Sequence, residues 1–154
     1  MGLQHKQIGE VAERIGLSLR TIRYYEEVGL VTPSARSQGG FRLYTESDIA
    51  RLQLIKRMKP LGFALDEMRS LLDALDTLDA AGTDKEVPDE ASRGAALERL
   101  SMFETAAEER CVALRDQLTM AEEFADGLRR EVRRQQRGIR SGRDTSHSDR
   151  STLP

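Results

Sequence analysis

The sequence predicts an all-α fold with a small β-wing, in which a winged helix-turn-helix domain precedes a long coiled-coil helix. Two short amphipathic segments meet at a glycine between residues 7 and 28, and a Gly-Gly turn separates two arginine-bearing arms. Beyond residue 97 an apolar seam continues for about five heptads. Hydrophobic periodicity of this kind is the main sequence signal of secondary structure.

The first helix is predicted over residues 7–14. Four apolar residues recur there at the i, i+3, i+4, i+7 spacing of one helix face: Ile8, Val11, Ala12 and Ile15. Gly16 is predicted to end the helix, because glycine adopts the left-handed conformation that helix ends favour. Ser18 then offers a side-chain N-cap for a second helix.

The second helix is predicted over LRTIRYYEEV, with Gly29 after it. Leu19 and Ile22 are expected on its inner face, which leaves polar and aromatic side chains facing outward. The pair of helices is a helix-turn-helix, whose second helix fits the DNA major groove.

A wing is predicted over residues 35–44. Gly39 and Gly40 form a turn dipeptide, and alternating residues follow it in a short β-like run. Arg36 and Arg42 place one arginine on each arm, where they could contact phosphates or enter a minor groove.

Two more helices are expected, from Thr45 to about Pro60 and from Ala64 to about Leu78. Thr45 and Asp48 approximate a capping box. Beyond them, residues 79–90 are predicted to be a linker and 91–134 a long helix. Residues 135–154 are predicted to be a disordered Arg/Ser/Gly-rich tail with a solubilising role or added nonspecific DNA affinity.

The seam of the long helix needs a partner, and a second copy of the chain is the simplest one. Its residues are Leu97, Leu100, Ala107, Cys111, Leu114, Leu118, Ala121, Ala125, Leu128 and Val132.

The net charge of −2 combines three unequal regions. Residues 1–60 carry ten Lys/Arg against six Asp/Glu, residues 61–128 carry six against seventeen, and residues 129–154 carry eight against three. A basic head before an acidic middle is typical of a DNA-binding module on an acidic scaffold. Without a long apolar run or a signal-peptide pattern, the expected location is the cytoplasm and no membrane partner is expected.

Six short motifs follow one another in the first half of the chain. They are I-G-E-V-A at Ile8–Ala12, S-x-R-T-I-R-Y-Y-E at Ser18–Glu26, G-L-V-x-P at Gly29–Pro33, R-x-x-G-G-F-R-L-Y at Arg36–Tyr44, D-I-x-R-L at Asp48–Leu52 and L-G-F-x-L-D-E at Leu61–Glu67. Together, over residues 7–75, they resemble the DNA-binding domain of the MerR family of transcription regulators.

The resemblance implies a homodimer joined by a long antiparallel coiled coil over residues 91–134, with residues 1–78 as the DNA-binding domain. It implies binding to a near-palindromic site in double-stranded promoter DNA, distortion of the spacer and RNA polymerase as a further partner. Thirteen residues form the candidate DNA-contact set: Ser18, Arg20, Thr21, Arg23, Tyr24, Tyr25, Arg36, Gly40, Phe41, Arg42, Tyr44, Arg57 and Lys59. Of the two adjacent tyrosines, one is expected to pack in the core and the other to reach a phosphate.

No cofactor or metal is expected. Metal- and redox-sensing relatives need several cysteines, whereas this chain has one, Cys111. Cys111 is interpreted as a packing residue of the seam, with a sensor thiol as the alternative.

An enzyme is disfavoured, because the chain has no catalytic constellation. The second hypothesis for its function is an architectural or adaptor protein whose coiled coil recruits another partner.

Overall fold

A computed structural model describes residues 4–80 and 86–145. The chain divides into two units, residues 1–108 and 109–154. Among the described helices, none combines the length and the apolar character that crossing a bilayer requires. The elements, in chain order, are β1 (Lys6–Gln7), α1 (Ile8–Ile15), α2 (Leu19–Glu27), β2 (Ala35–Arg36), β3 (Arg42–Tyr44), α3 (Glu46–Met58), a 3-10 turn (Lys59–Leu61), α4 (Leu65–Asp79) and α5 (Glu90–Thr145).

The turn between α1 and α2 forms as the sequence predicts. Gly16 ends α1 in the left-handed region, with φ 70°, and donates its N–H to the carbonyl of Ala12. Ser18 caps α2, because its Oγ accepts a hydrogen bond from the Thr21 N–H at 3.0 Å. The helix-turn-helix is therefore fixed by local backbone chemistry at both ends of the turn.

Replacing Ser18 with alanine is expected to lower the free energy of unfolding by about 1 kcal/mol, because the Thr21 N–H loses its acceptor. The measurement is the urea midpoint at unchanged m-value. Ser47→Ala is the control, since Ser47 is an exposed serine in the first turn of α3. Equal midpoints for the two variants would contradict the capping role.

The wing belongs to a three-stranded antiparallel sheet of order β1-β3-β2. β2 and β3 form the predicted hairpin, with Arg36 opposite Arg42. β1 was not predicted: it pairs Lys6 with Tyr44 on the other edge of β3. A two-residue strand has no readable periodicity, so only the pairing reveals it.

The core of the first unit joins α1, α2, α3 and α4. Ile22 and Tyr25 are the buried residues of α2, whereas Leu19 is 40% exposed, so its predicted inward position is wrong. Leu19 is the first residue of the helix, where a side chain has little of the domain to cover it. The capping box of Thr45 and Asp48 is complete and begins α3.

The first turns of α5 pack on this same core. Leu100 and Ala107, two of the predicted seam residues, lie against the buried cluster together with Phe103. The rings of Phe63 and Phe103 are 5.9 Å apart in a tilted arrangement. Part of the seam therefore serves the domain of its own chain.

The helix α5 extends past the predicted boundary at Arg134 to Thr145. The prediction of disorder from residue 135 is therefore wrong for residues 135–145, and residues 146–154 lie outside the described part. Glu131 explains the extension locally, because it accepts hydrogen bonds from Arg134 and Gln135 within one turn. Such i,i+3 and i,i+4 pairs, with the high helix propensity of arginine, favour the helix at the start of this stretch.

Candidate nucleic-acid interface

The second helix of the helix-turn-helix, α2, presents a basic and aromatic outer face. Arg20, Arg23 and Tyr24 are exposed, and Thr21 is half-buried. Ser18 is exposed at the helix start, where its hydroxyl is shared between the Thr21 N–H and the Thr21 hydroxyl. Arginine and tyrosine side chains on this face have the donors that DNA phosphates and base edges accept.

One of the two adjacent tyrosines packs in the core, as the sequence predicts, while the contact of the other with a phosphate stays a prediction. Tyr25 is 2% exposed and belongs to the core, whereas Tyr24 is 45% exposed. Burial, followed by the neighbouring Tyr24 hydroxyl, raises the pKa of Tyr25. A buried ring cannot reach DNA without opening the core, so Tyr25 is removed from the contact set.

The wing turn is closed by its own side chains. Gly40 has φ 78°, a conformation that glycine adopts without strain. Arg36 donates from Nη1 to the Gly40 carbonyl at 3.1 Å, and Ser37 Oγ accepts from the Phe41 N–H. Phe41 is left 64% exposed at the tip. An exposed phenylalanine on a basic hairpin is a surface that a nucleic-acid groove would cover.

Arg42 is held by a carboxylate of α2. Its Nε lies 2.8 Å from Glu26 Oε1 and 2.5 Å from Oε2. The Tyr44 hydroxyl donates to Glu26 Oε2 at 3.3 Å. The hydrogen bond to Glu26 raises the pKa of Arg42 above its already high value. Glu26 thus connects α2 to β3.

Tyr44 is a core residue and not a DNA contact. Its side chain has no exposed surface. Burial, followed by the Glu26 carboxylate, raises the pKa of Tyr44 to about 12. Its inclusion in the contact set is therefore wrong. The alternation that predicts β3 does not indicate which of its two faces packs against the core.

The helix α2 and the wing meet at a small cleft. Its volume is about 120 Å³. The lining residues are Gln7, Ile8, Arg23, Gly40, Phe41 and Arg42. The cleft brings Arg23 of α2 and Arg42 of the wing to the same face, although 18 residues separate them in sequence. Two guanidinium groups at one cleft favour an anion, such as a phosphate group.

Arg57 and Lys59 are exposed at the end of α3 and in the 3-10 turn that follows it. Gly62 ends this turn with φ 78°. These two basic side chains are accessible, as contact with the DNA backbone requires.

Three other basic side chains stabilise the fold, which no local pattern in the sequence indicates. They donate to backbone carbonyls at the ends of the first two helices: Lys56 to Ile15, Arg51 to Leu30 and Arg69 to Val28. Carbonyls at a helix end have no partner within the helix, and cationic donors satisfy them. Some basic residues of this domain therefore lie on its outer face, while others donate hydrogen bonds that stabilise the helix ends.

On the second unit, α5 carries an apolar stripe that the chain itself does not cover. Four leucine and valine side chains of the predicted seam are about half exposed: Leu114, Leu118, Leu128 and Val132. Cys111 is half-buried and is the one cysteine of the chain. Within the described residues, no group of three or more His, Cys, Asp or Glu has the arrangement of a metal site.

Comparison with known proteins identifies two family models that overlap along the chain. The model described as MerR HTH family regulatory protein matches residues 7–75, and the model described as MerR, DNA binding matches residues 49–121. The first range coincides with the resemblance seen in the motifs.

Individual relatives extend this comparison. The chain is 44% identical over 70 residues to the mercuric resistance operon regulatory protein of Bacillus cereus, a match that covers 46% of this chain and 53% of that protein. It thus spans about half the length of that curated relative, and 26% of the transcriptional activator mta of Bacillus subtilis.

Two solved structures share the fold. A Listeria monocytogenes protein ascribed to the MerR family aligns with a TM-score of 0.64 at 20% identity, covering 92% of this chain and 98% of that one. HiNmlR, a MerR family regulator lacking the sensor domain and bound to promoter DNA, aligns with a TM-score of 0.56 at 24% identity, covering 80% of each chain. The two family models, the motifs and the fold agree, and this chain belongs to the MerR family of helix-turn-helix DNA-binding transcription regulators.

Proposed function

We propose that the protein binds a near-palindromic promoter site as a homodimer and distorts the spacer DNA to control transcription initiation. The observation that supports this proposal is the cleft that Arg23 of α2 and Arg42 of the wing both line, because in the proposed complex these two elements contact DNA together. Arg20, Tyr24 and Phe41 are exposed on these two elements and extend the surface. In this proposal the protein acts in the cytoplasm. Its partners are double-stranded promoter DNA and RNA polymerase.

The apolar stripe of α5 supports the dimer. An exposed run of leucines at heptad spacing is stable in water only when another surface covers it. A second copy supplies an identical stripe, and Cys111 packs within it in the proposed dimer.

The charge along α5 supports an antiparallel orientation of the two helices. Residues 129–143 contain seven arginines and one glutamate, whereas residues 90–128 contain four arginines and nine acidic residues. A parallel pair would bring two basic ends together, while an antiparallel pair places each basic end beside acidic residues of the partner.

The test is binding of the full-length protein to the promoter DNA upstream of its own coding sequence, in a mobility-shift assay at moderate salt. We expect a preference over random duplex of about 10³-fold or more. A duplex with five base pairs added between the half-sites is the control, because half a helical turn rotates one half-site away from the dimer. If the protein shows no preference for that promoter DNA, selection of bound duplexes from a pool of random sequences identifies the preferred site. Failure to select any sequence would contradict the regulator and favour the architectural or adaptor protein.

A further inference from the structure

Glu26 is an acidic side chain that lies beside the arginines of α2 and the wing. It lies on the recognition helix α2, and its side chain is 17% exposed. A carboxylate close to DNA phosphates opposes binding by charge repulsion, unless it does something that offsets this cost. Its contacts therefore need an explanation in terms of recognition as well as folding.

Those contacts join two DNA-facing elements. Glu26 receives the Nε–H of Arg42 and the hydroxyl of Tyr44, both from strand β3. An arginine has five N–H donors, and the pairing with Glu26 uses the one on Nε. The two terminal nitrogens of Arg42, with four N–H groups, are the part of the guanidinium that can serve a further acceptor.

The cleft indicates what kind of acceptor this is. Arg42 lines it together with Arg23, which also lies on α2. Planar guanidinium groups bind phosphate oxygens with paired N–H donors, and the geometry is effective only when the group is held in place. A long arginine side chain left unrestrained loses conformational entropy on binding, which weakens the contact.

We propose that Glu26 is a positioning residue for DNA recognition, which fixes the wing to the recognition helix and presents the Arg42 guanidinium to a DNA phosphate at the cleft shared with Arg23. This rests on the proposed DNA-binding function. The arrangement makes the wing and the helix read DNA as one rigid unit, so Glu26 contributes to discrimination between sequences although it repels the DNA backbone.

The test compares Glu26→Gln with the parent protein on two duplexes, the preferred site and a random sequence. Glutamine keeps an acceptor for Tyr44 but removes the charge that holds Arg42. We expect affinity for random DNA to rise about twofold, because one negative charge per subunit is lost. We expect the ratio of specific to random affinity to fall about tenfold. Partial unfolding would instead lower both affinities, so a raised affinity for random DNA shows that the variant is folded.

Glu27→Gln is the matched control. Glu27 is the next residue of α2, is exposed, and affects Arg42 only through longer-range charge. This variant should raise the affinity for random DNA to a similar extent and leave the ratio unchanged. Adding Glu26→Gln to Arg42→Ala should lower the ratio no further than Arg42→Ala alone, because the two residues act as one unit.

The outcomes separate the two proposals. If the parent binds its preferred site no better than random DNA, the regulator function and this role of Glu26 both fail. If the parent discriminates and Glu26→Gln discriminates equally well, the role of Glu26 alone is wrong. If Glu26→Gln does not fold, Arg42→Lys serves instead: it keeps the charge but lacks the guanidinium fork, so the ratio should fall while the salt dependence stays the same. An unchanged ratio for that variant would likewise overturn the role.

Discussion

Replacing Leu118 with glutamate is expected to convert the proposed dimer into a monomer and to reduce affinity for the palindromic site by at least about 100-fold. Leu118 is 58% exposed on α5 and belongs to the uncovered stripe. In a dimer the glutamate would be buried without a partner for its charge, which is strongly unfavourable. A monomer then loses the gain in affinity that comes from engaging two half-sites at once. Sedimentation equilibrium measures the first effect and the mobility-shift assay the second.

Val112→Glu is the matched control for that experiment. Val112 is also apolar and is 53% exposed on the same helix, but it lies two residues before Leu114. Two residues correspond to about 200° around an α-helix, so Val112 faces away from the seam. This variant should remain dimeric and bind DNA normally. A dimeric Leu118→Glu protein would show that the stripe is not the subunit interface.

Replacing Tyr44 with alanine is expected to lower the free energy of unfolding by about 4 kcal/mol, the range found for large buried side chains. The ring has no exposed surface, and its removal leaves a cavity below the wing and takes one donor from Glu26. Thermal and urea denaturation measure the loss, which is a large fraction of the stability of a small domain.

Tyr24 provides the opposite expectation, because it is the exposed member of the tyrosine pair. Tyr24→Ala should change stability by less than about 0.5 kcal/mol, as surface substitutions usually do. It should weaken DNA binding about tenfold if its hydroxyl reaches a phosphate.

Tyr44→Phe separates the packing of the Tyr44 ring from the hydrogen bond of its hydroxyl. Because it keeps the ring, it should lower the free energy of unfolding by only about 1 kcal/mol. A stable Tyr44→Ala variant with weakened DNA binding would reverse the assignments of the two tyrosines.

Local signals predicted much of this molecule. Gly16, Ser18 and the Thr45–Asp48 pair mark helix ends through chemistry that involves neighbouring residues only, and each forms as expected. The end of α5 was predicted too early, because its arginines and glycines resemble a tail in composition while Glu131 supports the helix through pairs one turn away.

The sequence by itself determined the order of the helices, the family and the basic outer face of α2, since periodicity, capping and motif spacing are properties of contiguous residues. Only the tertiary structure decided which tyrosines are buried and which basic side chains are held by the fold. Glu26 is 16 residues from Arg42 and 18 from Tyr44 in sequence, and Lys56 is 41 residues from the Ile15 carbonyl that it caps. Contacts across such separations depend on how the helices and the sheet pack, because no local periodicity encodes which distant side chain will face a given atom.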